Sequence, residues 1–562
     1  MDNLNDESIT IYDAVQHIDK GKYVMPAFQR QYVWDMEKIE KLWDSILQGY
    51  PISTFLFWHI NDENVSGDTF FCDFLKEVKF DSAKKANNVN YELRTVNFDI
   101  TDTAILDGQQ RLTSLYISLL GDTFLKPKYK KSNDTQIHTK LLIELNENKI
   151  DTQYEFNTKK YDIKFTDKVA KIEPTKFEIK TILKDEFKNQ ETREKAIEDA
   201  IKVVPQDSKE YARNVLNNLC TKVYEKKLIR YTEIFNMTQD DALEMFVRFN
   251  SGGVNLKKAE ITMSILEAYW PTAKTYFAYL LTDDYKGFGT DFIIRTAHMI
   301  YGDVVKSNIS KQVATDLKNN WQEFKNAFKN TAQILKQLKI DVTRFANAWN
   351  VLVPIIFCVY YNPNYTQCIK GIQSYLYRAI FFTFFKSGTT NKLQKMKDSI
   401  IAYNYDITNE MLDQIFELRV TESKIEELLN VEKGSRVAGE ILYYLSLDWI
   451  KPNCKYEQDH LHPENRFNRS NPIGVSIGEW AEWRKFYNRL PNLQYLEGRE
   501  NSGKQDMSLQ EYYNSMNEVQ QEEFVKNSYI PDTSLEITNF KKFYDQRKEI
   551  LREEIKKRLI NE

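Results

Sequence analysis

Residues 103–113 read TAILDGQQRLT. The apolar run before Gly108 predicts a buried strand, and the apolar spacing after it predicts a helix, with a glycine turn between them. Free backbone N–H groups and the helix dipole favour an anion at such a junction. Arg111 would add a bidentate phosphate contact, and Asp107 would hold a cation or position water. We therefore expect an anion pocket here.

Two other segments resemble this stretch in character. Residues 25–34 read MPAFQRQYVW, and residues 246–256 read FVRFNSGGVNL. We expect Arg30 and the turn that begins at Asn250 to complete the same pocket. Taken singly, each motif is better explained as a turn, an ion pair or a linker, so the prediction depends on their occurring together. No G-x-x-x-x-G-K-[ST] sequence is present, and a P-loop NTPase is therefore not supported.

The three motifs together resemble the ParB-like domain with a DGQQR motif, which is found in GmrSD-type modification-dependent restriction enzymes and in the related SspE nucleases. The resemblance covers residues 8–300. It implies that the domain binds and hydrolyses a nucleoside triphosphate, with Asp107 and Arg111 as catalytic residues. The nucleotide-binding residues that it implies are Gln29, Arg30, Gly108, Gln109, Gln110, Arg248 and Asn250.

A second constellation lies further along the chain. It consists of Asp459-His460-Leu461-His462-Pro463, then Asn492-Leu493-Gln494-Tyr495-Leu496, then Asn501 and Lys504. A neutral imidazole takes a proton from water, and a hard divalent cation neutralises phosphate charge. Oxygen ligands from Asp and Asn suit Mg²⁺. The pattern D-H-x-x-P, N-L-x-x-L and N-x-x-K resembles the HNH or His-Me finger nucleases.

That resemblance implies His460 as the general base and Asp459 and Asn501 as ligands of Mg²⁺ or Mn²⁺. The chain has only five scattered cysteines and no C-x-x-C pair, so we expect a subtype without a structural zinc site. The alternative is that His460 and His462 are ordinary loop histidines beside a proline.

The remaining residues of the pattern have supporting roles by the same resemblance. Asn492 would tie the loop down, Lys504 would face phosphate, and His462 would be a supporting or alternative metal ligand.

The chain is long enough for several domains, and its composition is that of a folded protein. We expect an α+β fold in three parts. A ParB-like domain with a small mixed sheet would span residues 1–260, and an all-helical coupling domain would span 261–445. An HNH-type ββα-metal domain with flanking helices would span 446–562.

Composition limits the classes of partner. The net charge of −4 means that DNA contacts must come from local basic patches. The polar N-terminus predicts no secretory signal, and the apolar segments 351–361 and 375–385 are too short to cross a membrane. We expect a cytoplasmic protein with reduced cysteines and no membrane partner.

These features predict a restriction or antiphage DNA endonuclease that acts on foreign or modified DNA, with a divalent metal and with a nucleoside triphosphate as substrate or effector. The alternative is a ParB-like nucleotide- and DNA-binding regulator with an inactive HNH domain. A toxin-like RNA nuclease is disfavoured, because sites resembling this one usually act on DNA. Several properties stay open: the DNA modification, the preferred triphosphate, nicking against double-strand cleavage, and homo-oligomerisation.

Overall fold

The structure, a computed structural model, describes residues 4–29, 31–65, 69–81, 83–86, 92–126, 136–149, 159–166, 172–252, 258–304, 309–451, 454–498, 504 and 507–560. The chain divides into two compact units, Met1–Lys274 and Thr275–Glu562. The predicted division into three domains at residues 260 and 445 stays a prediction.

The first unit mixes strands and helices, as an α+β fold requires. Its elements are, in chain order, β1 Leu4–Ile9, α1 Ile11–Asp19, β2 Tyr23–Pro26, α2 Met36–Gln48, β3 Phe55–His59, β4 Phe71–Cys72, β5 Glu77–Phe80, β6 Leu93–Arg94, β7 Thr103–Asp107, α3 Gln109–Leu119, β8 Asp122–Leu125, β9 Ile137–Thr139, β10 Leu141–Glu144, β11 Ile163–Phe165, β12 Lys176–Glu178, α4 Asp185–Lys188, α5 Gln190–Ala200, α6 Lys209–Cys220, β13 Ile229–Ile234, α7 Gln239–Gly252 and α8 Lys258–Tyr269.

The main sheet of this unit is mixed. Its strand order is β1-β13-β3-β7-β2-β4-β6, with parallel pairs β13–β3 and β7–β2 and antiparallel pairs β1–β13 and β3–β7. Strand β7 lies in the middle of the sheet and is buried except for Asp107 at its end. Asp107 and the following Gly108 therefore lie at the C-terminal end of a central strand.

Local signals in the sequence account for α2. The Asp35 side chain accepts a hydrogen bond from the Lys38 N–H at the N-terminus of the helix, and Gly49 ends the helix in the left-handed conformation. The sequence predicts Asp35 as the N-cap and Gly49 as the C-terminal stop, and both are confirmed. The apolar run at residues 53–60 predicts a buried strand, and β3 lies within it at Phe55–His59.

The second unit is largely helical. Among its described residues, two strands form an antiparallel pair, which we call the hairpin although two short α-helices separate the strands in the chain. Helix α9, Ala273–Leu280, begins at the boundary. The elements that follow are α10 Thr290–Tyr301, α11 Lys311–Asn319, α12 Trp321–Gln337, α13 Val353–Tyr361, α14 Ile369–Phe381, α15 Thr389–Ala402, α16 Asn409–Gln414, α17 Glu422–Leu429, α18 Arg436–Leu445, β14 Tyr456–His460, α19 Glu464–Phe467, α20 Ile477–Trp483, β15 Leu493–Glu497, α21 Leu509–Asn514, α22 Glu518–Asn527 and α23 Phe540–Ile560.

The long helix α23 joins the hairpin region to the helices before it. Arg378 of α14 donates from Nε to the Leu559 carbonyl over 2.9 Å, and Arg552 of α23 pairs with Glu426 of α17 at 2.6 Å. The segment that the sequence predicts as a separate nuclease domain thus packs against helices of the predicted coupling domain within one unit.

The apolar segments 351–361 and 375–385 fall largely in α13 and α14, which are short, buried helices. Among the helices that the structure describes, none combines the length and hydropathy needed to cross a bilayer. The predicted cytoplasmic location stays a prediction. All five cysteines are unpaired, as the absence of a spaced cysteine pattern predicts.

A pH dependence of stability follows from His298 in α10. Burial lowers its pKa from 6.5 to about 4, and the nearby Arg295 guanidinium acts in the same direction. The unfolded chain therefore takes up this proton first as the pH falls. The stability from neutral His298 is complete above pH 6.5 and is lost toward pH 4, by at most roughly 1.4 kcal/mol per pH unit.

We therefore expect His298→Leu to flatten the fall in urea midpoint between about pH 7 and about pH 4.5. Met299→Leu changes a neighbouring buried side chain without a titrating group and should keep the wild-type slope. Equal slopes for wild type and His298→Leu would exclude this histidine as a source of acid sensitivity.

Candidate functional site

Strands β14 and β15 form an antiparallel hairpin that carries the D-H and N-L motifs. Asp459 lies opposite Gln494 and His460 lies opposite Leu493. Because β14 ends at His460, this histidine forms the last residue pair between the two strands.

The His460 ring is held at both nitrogens. Its Nε2 lies 2.9 Å from Asn488 Oδ1, and its Nδ1 lies 3.3 Å from Lys433 Nζ. Since an ammonium can only donate, this arrangement puts the ring proton on Nε2 and leaves a lone pair on Nδ1. Burial, followed by the charge of Lys433, lowers the pKa of His460, so the ring is neutral at neutral pH and able to act as a base.

Asp459 lies beside this histidine in an ionic contact. Its Oδ2 accepts from Gln494 Nε2 at 2.9 Å and from Lys504 Nζ at 2.6 Å. Burial alone would raise the pKa of Asp459, but Lys504 and Gln494 outweigh it and the pKa is lowered. Lys504 is itself almost fully buried and also donates to the His460 carbonyl. Its ammonium is therefore engaged with the protein, and its predicted contact with phosphate stays a prediction.

Asn492 makes the contacts that a loop-holding role requires. It is fully buried; its Oδ1 accepts from the His462 N–H at 3.0 Å, and its Nδ2 donates to the His462 carbonyl at 3.0 Å. The His462 ring lies edge-on to Phe540 and Phe543, and burial lowers its pKa to about 3. His462 therefore sits as a neutral histidine in an aromatic core.

Arg547 of α23 holds the loop around Asn492 through hydrogen bonds to main-chain carbonyls. This buried side chain donates to the carbonyls of Pro491 and Leu493 at 2.7 Å each, and to the Ser528 carbonyl at 3.0 Å. The Pro491 and Leu493 carbonyls flank Asn492 on both sides, so contacts to a distant helix hold the main chain around Asn492.

The donor chemistry at Asp459 suits Mg²⁺ or Mn²⁺, which prefer oxygen ligands and keep several waters. Among the described residues, no three His, Cys, Asp or Glu side chains are close enough to hold a metal ion. The predicted amide ligand, Asn501, lies outside the described residues.

In the first unit, Gly108 forms the turn between β7 and α3. Its φ of +95° lies in the left-handed region, and a Cβ atom here would lie 2.1 Å from Phe55 Cδ1. The turn thus requires glycine for two reasons, its backbone conformation and the ring against it. The sequence-predicted order of strand, turn and helix is confirmed.

Arg111 is bound mainly to its own protein. Its guanidinium donates to the carbonyls of Ile52 and Thr54, pairs with Asp107 at 3.0 Å and stacks on the Phe55 ring at 4.2 Å. The Asp107 side chain is about half exposed. Of this pair, Asp107 is therefore the side chain that is more exposed to solvent.

The two glutamines around this turn also bond to main chain. Gln29 donates from Nε2 to the Leu106 carbonyl at 2.8 Å. Gln110 accepts from the Val33 N–H at 3.0 Å and donates to the Gln31 carbonyl at 3.1 Å. These bonds join residues 25–34 to residues 103–113, as the predicted pocket requires. Gln109 is buried nearby on the first turn of α3.

The segment 246–256 contacts the segment 25–34 through aromatic packing. Phe246 of α7 lies 5.5 Å from Phe28, ring centre to ring centre. Arg248 is exposed and pairs with Glu244 on its own helix. Helix α7 continues through Asn250 to Gly252, so the predicted turn at Asn250 is wrong. The side chain of Asn250, and Arg30 as a whole, lie outside the described residues.

Sequence reasoning missed three residues that surround the candidate site at His460: Asn488, Lys433 and Arg547. Asn488 precedes the N-L motif by a few positions, Lys433 belongs to a loop before α18, and Arg547 belongs to a charged helix. None of them lies in a motif whose spacing could have signalled a role.

The family match to known proteins lies within the first compact unit. Residues 11–267 match the family described as GmrSD restriction endonuclease, N-terminal domain. Residues 11–267 thus belong to the class of restriction-endonuclease domains. They are a domain of the GmrSD family, and the match describes this N-terminal domain alone. It ends at residue 267 and does not include β14 or β15.

An uncharacterized protein of Methanocaldococcus jannaschii is 33% identical to this chain over 121 residues. The aligned segment covers 22% of this chain and 18% of that protein. This similarity is therefore local and adds no activity.

Replacement of Gly108 tests the turn. We expect Gly108→Ala to lower the free energy of unfolding by about 1–3 kcal/mol more than Gly474→Ala, as an over-packed core site does. Gly474 has a similar φ of +90° but open space around it, so the pair separates the clash with Phe55 from backbone strain. Equal losses in urea denaturation would show that Phe55 moves aside without cost.

Proposed function

We propose that this protein is a DNA endonuclease of a restriction system whose second unit hydrolyses phosphodiester bonds. The observation that carries the proposal is His460. The bond from Nε2 to Asn488 leaves the ring lone pair on Nδ1, and Asp459, a carboxylate that would hold a metal, is its neighbour in the chain. Lys433 lies 3.3 Å from Nδ1 and must release this lone pair before Nδ1 can take a proton. A positioned neutral imidazole beside a carboxylate is suited to metal-assisted hydrolysis of a phosphodiester.

In this mechanism His460 Nδ1 takes a proton from the attacking water. The water oxygen forms a bond to phosphorus, and the bond from phosphorus to the leaving sugar oxygen breaks. Asp459 and Asn501 would hold Mg²⁺ or Mn²⁺, which when bound neutralises charge on the phosphate and the leaving oxygen. Asn488 keeps the ring oriented, and Asn492 keeps the loop in register with β15.

For the first unit we propose binding and hydrolysis of a nucleoside triphosphate at the β7–α3 junction. The support is the N-terminal end of an eleven-residue helix behind Gly108, together with the half-exposed Asp107 carboxylate. Gln29, Gln110 and Arg111 would shape this pocket through their bonds to main chain. Modified or foreign DNA as the substrate completes the proposal.

The nuclease proposal is tested with His460→Ala on plasmid and phage DNA in Mg²⁺ or Mn²⁺. Loss of a general base should slow cleavage by about 10²–10⁴-fold. His138→Ala, a half-exposed histidine paired with Asp122 in the first unit, is the matched control and should cleave at the wild-type rate. An unfolding curve for each variant separates loss of chemistry from loss of fold.

Cleavage by His460→Ala at the wild-type rate would remove His460 from the reaction. Wild-type protein that binds DNA but cuts none in either metal would instead favour the regulator with an inactive nuclease loop.

The nucleotide proposal is tested with Asp107→Asn, which keeps the size of the side chain and removes its charge. We expect at least a tenfold loss of triphosphate hydrolysis, because a carboxylate that holds a cation or positions water cannot be replaced by an amide. Asp199→Asn alters a surface ion pair with Lys202 and should hydrolyse normally. Wild-type turnover by Asp107→Asn would exclude the junction as the hydrolytic site.

A further inference from the structure

A groove of about 460 Å³ opens beside the hairpin in the second unit. Lys433, Arg436, Tyr456 and Tyr495 are among its lining residues. Lys433 connects the groove to His460, since its Nζ lies 3.3 Å from His460 Nδ1. Lys433 therefore lies between the groove and the proposed catalytic base.

The position of Lys433 is built into the fold. Its N–H donates to the Asn488 carbonyl at 2.9 Å, and the Leu490 N–H donates to the Val431 carbonyl at 2.9 Å. These bonds lay the loop before α18 alongside the segment that carries Asn488. The same segment thus orients the His460 ring and places a lysine against its other nitrogen.

The charges in the groove are unevenly compensated. Lys433 forms no ion pair with a carboxylate in the described parts of the chain. Arg436 is mostly exposed and lies 4.0 Å from Glu440, a carboxylate that Arg344 already binds at 3.1 Å. Helix α18 begins at Arg436, so its positive dipole end adds to the same region. Two carboxylates, Glu440 and Glu457, and three cations, Arg344, Lys433 and Arg436, line the groove. The lining therefore has an excess of positive charge in a chain whose net charge is negative.

One wall of the groove is aromatic. The rings of Tyr456 and Tyr495 stack with centres 5.3 Å apart and planes 15° from parallel. Cationic side chains next to flat rings match a polynucleotide strand, in which phosphates alternate with sugars and bases. The position of Lys433 between the groove and His460 favours a strand that passes the catalytic base over a free nucleotide.

We propose that this groove holds the DNA strand on one side of the cleaved phosphodiester, with Lys433 at the phosphate nearest His460 and Arg436 at a neighbouring one. The proposal rests on the proposed nuclease function, which supplies the reason for a strand at His460. It adds residues from outside the D-H-x-x-P and N-L-x-x-L motifs to the DNA-binding surface.

The test measures binding of the full chain to a labelled DNA duplex at several salt concentrations in EDTA, with His460→Ala as the background. Each lost phosphate contact lowers the slope of log affinity against log salt by about one. We expect Lys433→Met with Arg436→Gln to lower it by about two. Lys433→Arg with the native Arg436 keeps both charges and should keep the slope.

Lys325→Met with Lys329→Gln removes two exposed cations from α12 and is the matched control, with an unchanged slope expected. An unchanged slope for the groove variant, or no DNA binding by the background protein, would overturn the groove. A lowered slope supports it even if the wild-type chain cuts no DNA, a result that would count against the nuclease proposal alone.

Discussion

The candidate nuclease centre depends on one buried cation, the Arg547 guanidinium. Burial lowers its pKa to about 9, so it stays charged at neutral pH and needs several acceptors to offset lost hydration. Main-chain carbonyls on both sides of Asn492 supply them. Since Asn492 in turn holds the main chain of His462, the chain after β14 is held through a helix that belongs to no catalytic motif.

The same device recurs in other parts of the molecule. Arg378 donates to the Leu559 carbonyl and pairs with Asp413, and Arg111 donates to carbonyls near β3. A planar guanidinium with five donors can join segments that no strand pairing connects. In the DGQQR motif, Arg111 therefore holds Asp107 in place. An arginine in a motif that resembles a phosphate-binding site can thus bind the carbonyls of its own chain.

Features set by neighbouring residues were predictable from the sequence, and features set by distant contacts were not. Asp35 and Gly49 bound a helix by their own chemistry, and Gly108 marks its turn through a conformation that other residues disfavour. Lys433 and Asn488 meet His460 only because two loops pair in space, which no spacing encodes. The family resemblance of the N-terminal domain was recoverable because its three motifs carry unusual residue combinations in a fixed order.

The route by which α23 holds the hairpin also orders the assembly of the second unit during translation. His460 and β15 leave the ribosome well before Arg547, and until then the carbonyls beside Asn492 have no guanidinium to bind. The imidazole, its loop and the lysine beside it can reach their final arrangement only after α23 has been made and has docked. A truncated or still-growing chain therefore lacks the guanidinium that holds the loop of the candidate centre in place.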